Sequence, residues 1–163
     1  MDASGKAIVR EIEVFDWKSR VARFERQDAR DGKKTEQTIP VPDDTISVEG
    51  IAGALRAVPL SKGNKVAAHL LSNEPKLYEV TLEVDRQETC KTARGPVECF
   101  RVEIVPHLGA LDLFRFAFPK MYFWFSADPS HEWLRYEGPE AGRGTPEIVM
   151  EPAPGRTPTT SND

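Results

Sequence analysis

The sequence predicts a mainly β fold: an antiparallel, strongly curved or partly closed sheet with one helix packed on it at about residues 44–58. Apolar and polar residues alternate with a period of two along much of the chain, and turn signals recur at short intervals between those stretches. One segment alone changes to helical spacing. At 163 residues the chain can bury its own core, so residues 1–151 are expected to form a single β-rich domain. "PAPGRTPTTSND", residues 152–163, has little to bury and is expected to be a disordered tail.

The elements follow in order. "AIVREIEVFDW" puts Ile8, Ile12 and Val14 on one parity, interrupted by Arg10, and "RVARFER" alternates charge with Val21 and Phe24. Asp31-Gly32 is a hairpin signal between that strand and "TEQTIPVPDD", whose Pro40 and Pro42 confine it to an edge or a strand end. In "DDTISVEGIAGALRAVPL", Asp43 or Asp44 can cap a helix whose stripe is Val48, Ile51, Leu55 and Val58, and Pro59 ends it. Gly50 and Gly53 each weaken it by about 1 kcal/mol relative to Ala, so packing must hold it. Strand patterns resume at "KVAAHLL", "LYEVTLEV", "CFRVEIV", "LFRFAFPKMYFWFS", "HEWLRYEG" and "PEIVME".

Residues 114–125 hold seven of the 14 aromatic side chains. Phe114, Phe116 and Phe118 share a parity; after Pro119, Met121, Phe123 and Phe125 take one face while Tyr122 and Trp124 take the other. A strand apolar on both faces must be covered on both. Either the helix or tail packs over the second face, or that face is a groove for a lipid or other apolar small molecule, or a patch for a protein partner. Phe114, Phe116, Phe118, Tyr122 and Trp124 are therefore the candidate binding residues.

Composition and motifs exclude other classes. A net charge of −4 with mixed signs along the chain lacks the basic face that nucleic acid needs. No apolar run is long enough for a membrane span, and "MDASGKAIVREIEV" is no signal peptide. His69, His107 and His131 are isolated, and their spacing from Cys90 and Cys99 fits no standard metal set, so neither metal nor cofactor is expected. Ser126, Asp128 and His131 place a hydroxyl, a carboxylate and an imidazole close in sequence, but "DPS" reads more simply as a turn. Glu83, Asp85, Arg86 and Glu88 read as the solvated side of a hairpin.

Cys90 and Cys99 flank that hairpin's tip as a redox pair, two ligands or a staple. A redox role lacks the C-x-x-C spacing. With a turn at Arg94-Gly95 the two would oppose each other, yet the even-numbered apolar sets Val80, Leu82, Val84 and Phe100, Val102, Ile104 require the other parity. A bulge around Asp85 to Glu88, where alternation fails, reconciles them.

The ordered set "DDTISVEGIAGALRAVPLSKGNKV", "KLYEVTLEVDRQETCKTARGPVECFRVEIVP", "MYFWFSADPSHEWLRYEG" and "GTPEIVMEP" resembles the bacterial DUF3108 family over roughly residues 7–151. The resemblance rests on the "LR-x-x-PL-x-x-G" ending of the helix, the long hairpin turning at Gly95, and Trp124-Phe125-Ser126-Ala127-Asp128. It implies a mostly β protein of the periplasm or cell envelope, with no established activity. Similar proteins usually carry a leader and further first strands; without them, a sheet edge near residues 7–15 is expected to be open to a partner or a second copy. In that oxidising compartment the cysteines are expected to be bonded. The function expected is a non-enzymatic envelope module that binds an apolar ligand or protein partner through its aromatic face. The alternative is a structural or assembly protein with the aromatics in its core, and a hydrolase at Ser126, Asp128 and His131 ranks last.

Overall fold

The computed structural model describes residues 9–72, 75–107, 109, 119–140 and 145–153. Among these the chain is mainly β, as the alternation requires, with ten strands and one short helix. β1 (Val9–Asp16), β2 (Val21–Asp28) and β3 (Lys34–Pro40) form an antiparallel three-stranded sheet. The remaining strands are β4 (Thr45–Ser47), β5 (Lys65–Leu71), β6 (Leu77–Thr92), β7 (Gly95–Pro106), β8 (Met121–Ser126), β9 (Trp133–Pro139) and β10 (Glu147–Met150). They form a curled seven-stranded sheet in the order β10-β9-β8-β7-β6-β5-β4. The chain divides into two compact units, Met1–Val48 with His69–Tyr78, and Glu49–Ala68 with Glu79–Asp163.

In the first unit, Ala22, Val41 and Leu71 are buried, with Phe15, Phe24, Ile39 and Leu77 packed against them. The register places Phe15, Ala22 and Ile39 in one row across β1, β2 and β3, so this row defines the covered face. Val14 lies on the other face and is 53% exposed. The parity of Ile12 and Val14, the apolar one in the sequence, is therefore the wetter one, because a single aromatic, Phe15, reaches the core from the opposite side.

The helix expected at about 44–58 needs correction. α1 spans Ile51–Leu55, with Ile51 and Leu55 buried one turn apart. Neither aspartate caps it: Gly50 is its N-cap, without a side-chain hydrogen bond. Asp43 pairs with Arg20, and the Asp44 carboxylate accepts from His69 Nδ1 at 2.8 Å. Thr45, Ile46 and Ser47 pair in parallel with His69, Leu70 and Leu71. Strand pairing here, favoured by the β-branched Thr45 and Ile46, overrides a helix already weakened by Gly50 and Gly53. Arg56, just past α1, donates to the Ser130 carbonyl at 2.9 Å.

In the second unit, Val80, Leu82 and Val84 on β6 share a face with Val102 and Ile104 on β7, Phe123 and Phe125 on β8, and Tyr136 on β9, all buried. Burying side chains of this size contributes about 1.5–3 kcal/mol each and is what fixes the register.

Candidate functional site

The β6–β7 hairpin contains the bulge that its two parities demand. Val84 opposes Val102, then Arg86 opposes Arg101, leaving Asp85 as the extra residue. The turn differs from the expectation by one residue: Thr92 pairs with Gly95, so Ala93 and Arg94 form the tip. Thr92 Oγ1 donates to the Gly95 carbonyl at 2.7 Å and accepts from the Arg94 N–H at 3.2 Å, while Gly95 adopts φ 113°. Cys90 therefore opposes Val97, and Cys99 opposes Glu88. The two cysteines are diagonal neighbours on one face, and they are bonded, with Cα atoms 5.9 Å apart.

Asp85, the extra residue, keeps the side of the sheet that Arg101 occupies. The Arg101 guanidinium grips the Asp85 carboxylate through both Nε and Nη2, with Nε at 3.0 Å. Burial alone would push the Asp85 carboxyl up, but the Arg101 hydrogen bonds, with the charges of Arg101 and Arg86, hold it below the usual carboxylate range.

Arg101 in turn lies over the two aromatic side chains that β8 turns away from the core. Its Cζ is 4.2 Å from the Tyr122 ring centroid and 6.0 Å from that of Trp124. Arg135 of β9 lies 5.3 Å over Trp124, and Lys120 lies 5.8 Å from Tyr122. Each cation has a carboxylate beside it: Arg135 donates to Glu137 at 2.7 Å, and Lys120 pairs with Glu103 at 3.3 Å. Trp124 Nε1 donates to Glu88 at 2.7 Å. Cation–π contacts of this kind are worth about 0.5–2 kcal/mol each. The second face of β8 is thus covered, among the described residues, by side chains of its own sheet. Trp124 is 8% exposed beneath two guanidinium groups.

Tyr122 and Trp124, expected as binding residues, are together in this cluster, on neighbouring positions of one face, their ring centroids 5.9 Å apart. Phe114, Phe116 and Phe118 lie outside the described residues. Asp85, Glu88, Arg101 and Arg135 were missed as members of the site. The signal available was the failed alternation at Asp85 and the charged residues, Arg101 and Glu103 on β7 and Arg135 and Glu137 on β9, that alternate with apolar ones.

The Ser126, Asp128 and His131 turn does not form a triad. Ser126 Oγ accepts the Glu132 N–H at 2.8 Å, and His131 Nδ1 lies 3.2 Å from the Ser126 carbonyl rather than its hydroxyl. Asp128 accepts from the Ser130 N–H at 2.8 Å and from its hydroxyl, which lower its pKa, with Ser126 contributing less. These are the bonds of a strand-to-strand corner, with His131 at φ 44°. The other histidines sit elsewhere, His69 against Asp44 and His107 against Thr81 at 2.7 Å. No cluster of His, Cys, Asp or Glu that could hold a metal ion occurs among the described residues.

A bulged hairpin stapled at its tip, with a cation–aromatic face on an antiparallel sheet, describes a β-rich protein without an assembled catalytic constellation among the described residues. Residues 4–147 match the family model DUF3108, a protein of unknown function, and the chain belongs to that family. No curated protein and no solved structure matches the chain. No helix among the described residues is long and apolar enough to cross a membrane.

Proposed function

We propose that the protein is a non-catalytic module of the bacterial cell envelope that holds an extended segment of a protein partner along β10. The observation that carries this reading is the outer edge of β10, to which no strand among the described residues pairs, and on which Val149 is 55% and Met150 45% exposed. An open edge with apolar side chains is the template for strand addition. Val149 opposes Glu137, which opposes Tyr122, so it ends the row that runs across the cation–aromatic face. Tyr, Trp and Arg are the residues that dominate protein–protein contacts. The charged groups over Tyr122 and Trp124 favour a protein segment over a purely apolar ligand, whose burial would strip water from them without replacing it. The envelope assignment is supported by the bonding of both cysteines of the chain, since disulfides persist in oxidising compartments.

The test is a photocrosslinking residue in place of Val149 in the native envelope. A discrete adduct is expected there, lost when Met150→Lys is added and not formed from the same crosslinker at Glu140. No adduct at position 149, or an identical one at 140, sinks the reading.

A further inference from the structure

A second surface belongs to the first unit and draws on neither the β10 edge nor its partner. The four residues 17–20 between β1 and β2 are held by Asp16, whose carboxylate accepts from the Lys18 N–H at 3.0 Å, the Ser19 N–H at 3.1 Å and the Ser19 hydroxyl. Arg20 closes the loop at φ 54°. Held this way, Trp17 stacks on Phe15 with centroids 5.1 Å apart and planes 11° apart. Phe15 packs onto the first unit's core, while Trp17 is 56% exposed. With one face on Phe15 and 56% of its surface in water, this ordered indole has the half-apolar, half-wet setting in which Trp is enriched at interfaces.

Charge decides what covers it. "WKSRVAR", residues 17–23, contains Lys18, Arg20 and Arg23 and no acid, in a chain of net charge −4. The nearby carboxylates are Asp16, which bonds to the turn and feels the charge of Arg23, Asp43, which pairs with Arg20 at 2.7 Å, and Asp44, which meets His69. The Arg20–Asp43 pair is exposed on both sides, 65% and 71%, so it holds Arg20 weakly. No ion pair among the described residues holds Lys18. Val14, 53% exposed, faces Arg23 on the other side of the same hairpin end. Trp flanked by Lys and Arg is the pattern of a group that sits at the headgroup level of a bilayer, with its ring among the glycerol esters and its cations on phosphates.

We infer that the β1–β2 turn is a contact for an anionic lipid surface, with Trp17 entering the headgroup layer and Lys18, Arg20 and Arg23 lying on the phosphates. Binding through one indole and three cations is reversible and salt-sensitive, and each cation contributes about fivefold in partitioning near an anionic surface.

The experiment is co-sedimentation of the purified full chain with phosphatidylcholine vesicles, with and without phosphatidylglycerol, read together with tryptophan emission. Wild type is expected to sediment with the anionic vesicles, to shift its emission to the blue, and to release in high salt. Trp17→Ser is expected to lose both the sedimentation and the shift, and Lys18→Glu the sedimentation by tenfold or more. Unchanged thermal unfolding of both variants keeps the comparison between folded proteins. Equal sedimentation of wild type and Trp17→Ser, equal binding to both vesicle types, or no binding at all overturns the inference. Purified lipid contains no protein, so these outcomes leave the reading of β10 untouched.

Discussion

Glu88 and Trp124, 36 positions apart in sequence, meet across β7: the indole N–H donates to the Glu88 carboxylate at 2.7 Å. That bond joins the hairpin tip to the aromatic strand, and it exists because the bulge at Asp85 has turned Glu88 to Trp124's side of the sheet. Glu88→Ala should leave a largely buried N–H without its acceptor and cost about 1–3 kcal/mol, whereas Glu88→Gln, which keeps an acceptor oxygen, should cost less. Urea unfolding of the two variants, followed by tryptophan emission, checks the order. Equal losses would show that the bond is not what matters there.

The Cys90–Cys99 bridge closes a short loop of nine positions. Replacing both cysteines with Ser should therefore lower stability by about 2–3 kcal/mol, mainly by freeing the unfolded chain. The readout is the urea midpoint of wild type under non-reducing conditions against that of the double variant. The same midpoint for both would mean that the bridge adds nothing to an already stable hairpin.

Acid should expose the Asp85–Arg101 pair. The Asp85 carboxyl is lower in the folded protein than its ordinary value of 3.8, so its contribution is present above that value and is lost as pH falls through the depressed folded value. Asp28, held at about 2 by its hydrogen bonds to Arg30, follows the same sign and loses its contribution between about 4 and 2. Asp85→Asn should be less stable than wild type at neutral pH, with the gap narrowing as the pH is lowered below 4. A gap that stays constant across that range would remove the ionised carboxylate from the account.

Gly138 gives a steric prediction. A Cβ there would stand 2.7 Å from the Tyr136 hydroxyl oxygen and 3.0 Å from the Lys120 carbonyl oxygen. Tyr136 is itself fixed by donating to the Pro139 carbonyl at 2.7 Å. Gly138→Ala should cost about 1–3 kcal/mol by displacing that ring or the backbone. Thermal unfolding of Gly138→Ala alone and combined with Tyr136→Phe separates the two contacts. Partial recovery in the double variant is expected, since removing the hydroxyl clears the closer one.

Much of the sheet was legible because alternation is a local signal with one dominant cause, burial of one face. The Asp85 bulge was legible for the same reason, as the place where two even-numbered apolar sets could not be reconciled with the cysteines. The exact turn was not, because Thr92 and Gly95 fix it through one hydroxyl that leaves no pattern. The long helix failed because Asp43 and Asp44 look like caps in sequence, while their partners, Arg20 and His69, lie more than twenty positions away. The cluster around Trp124 was half visible. Its rings stood out, but charged residues of β6, β7 and β9 look like ordinary solvated positions until strand pairing brings Asp85, Arg101 and Arg135 over them.

β6 is one residue longer than its partner requires, and the surplus residue carries its own counter-charge. Deleting Asp85 would let Arg86 follow Val84 directly into the place opposite Arg101, which is where it already pairs. Every pair from there to the tip would keep its neighbour, the cysteines included. What would go is the negative charge beside a guanidinium that is only 13% exposed. Strand length and electrostatic balance are therefore separable at this one position. A chain shortened by a single codon would retain its ladder and its bridge while leaving Arg101 to find another anion.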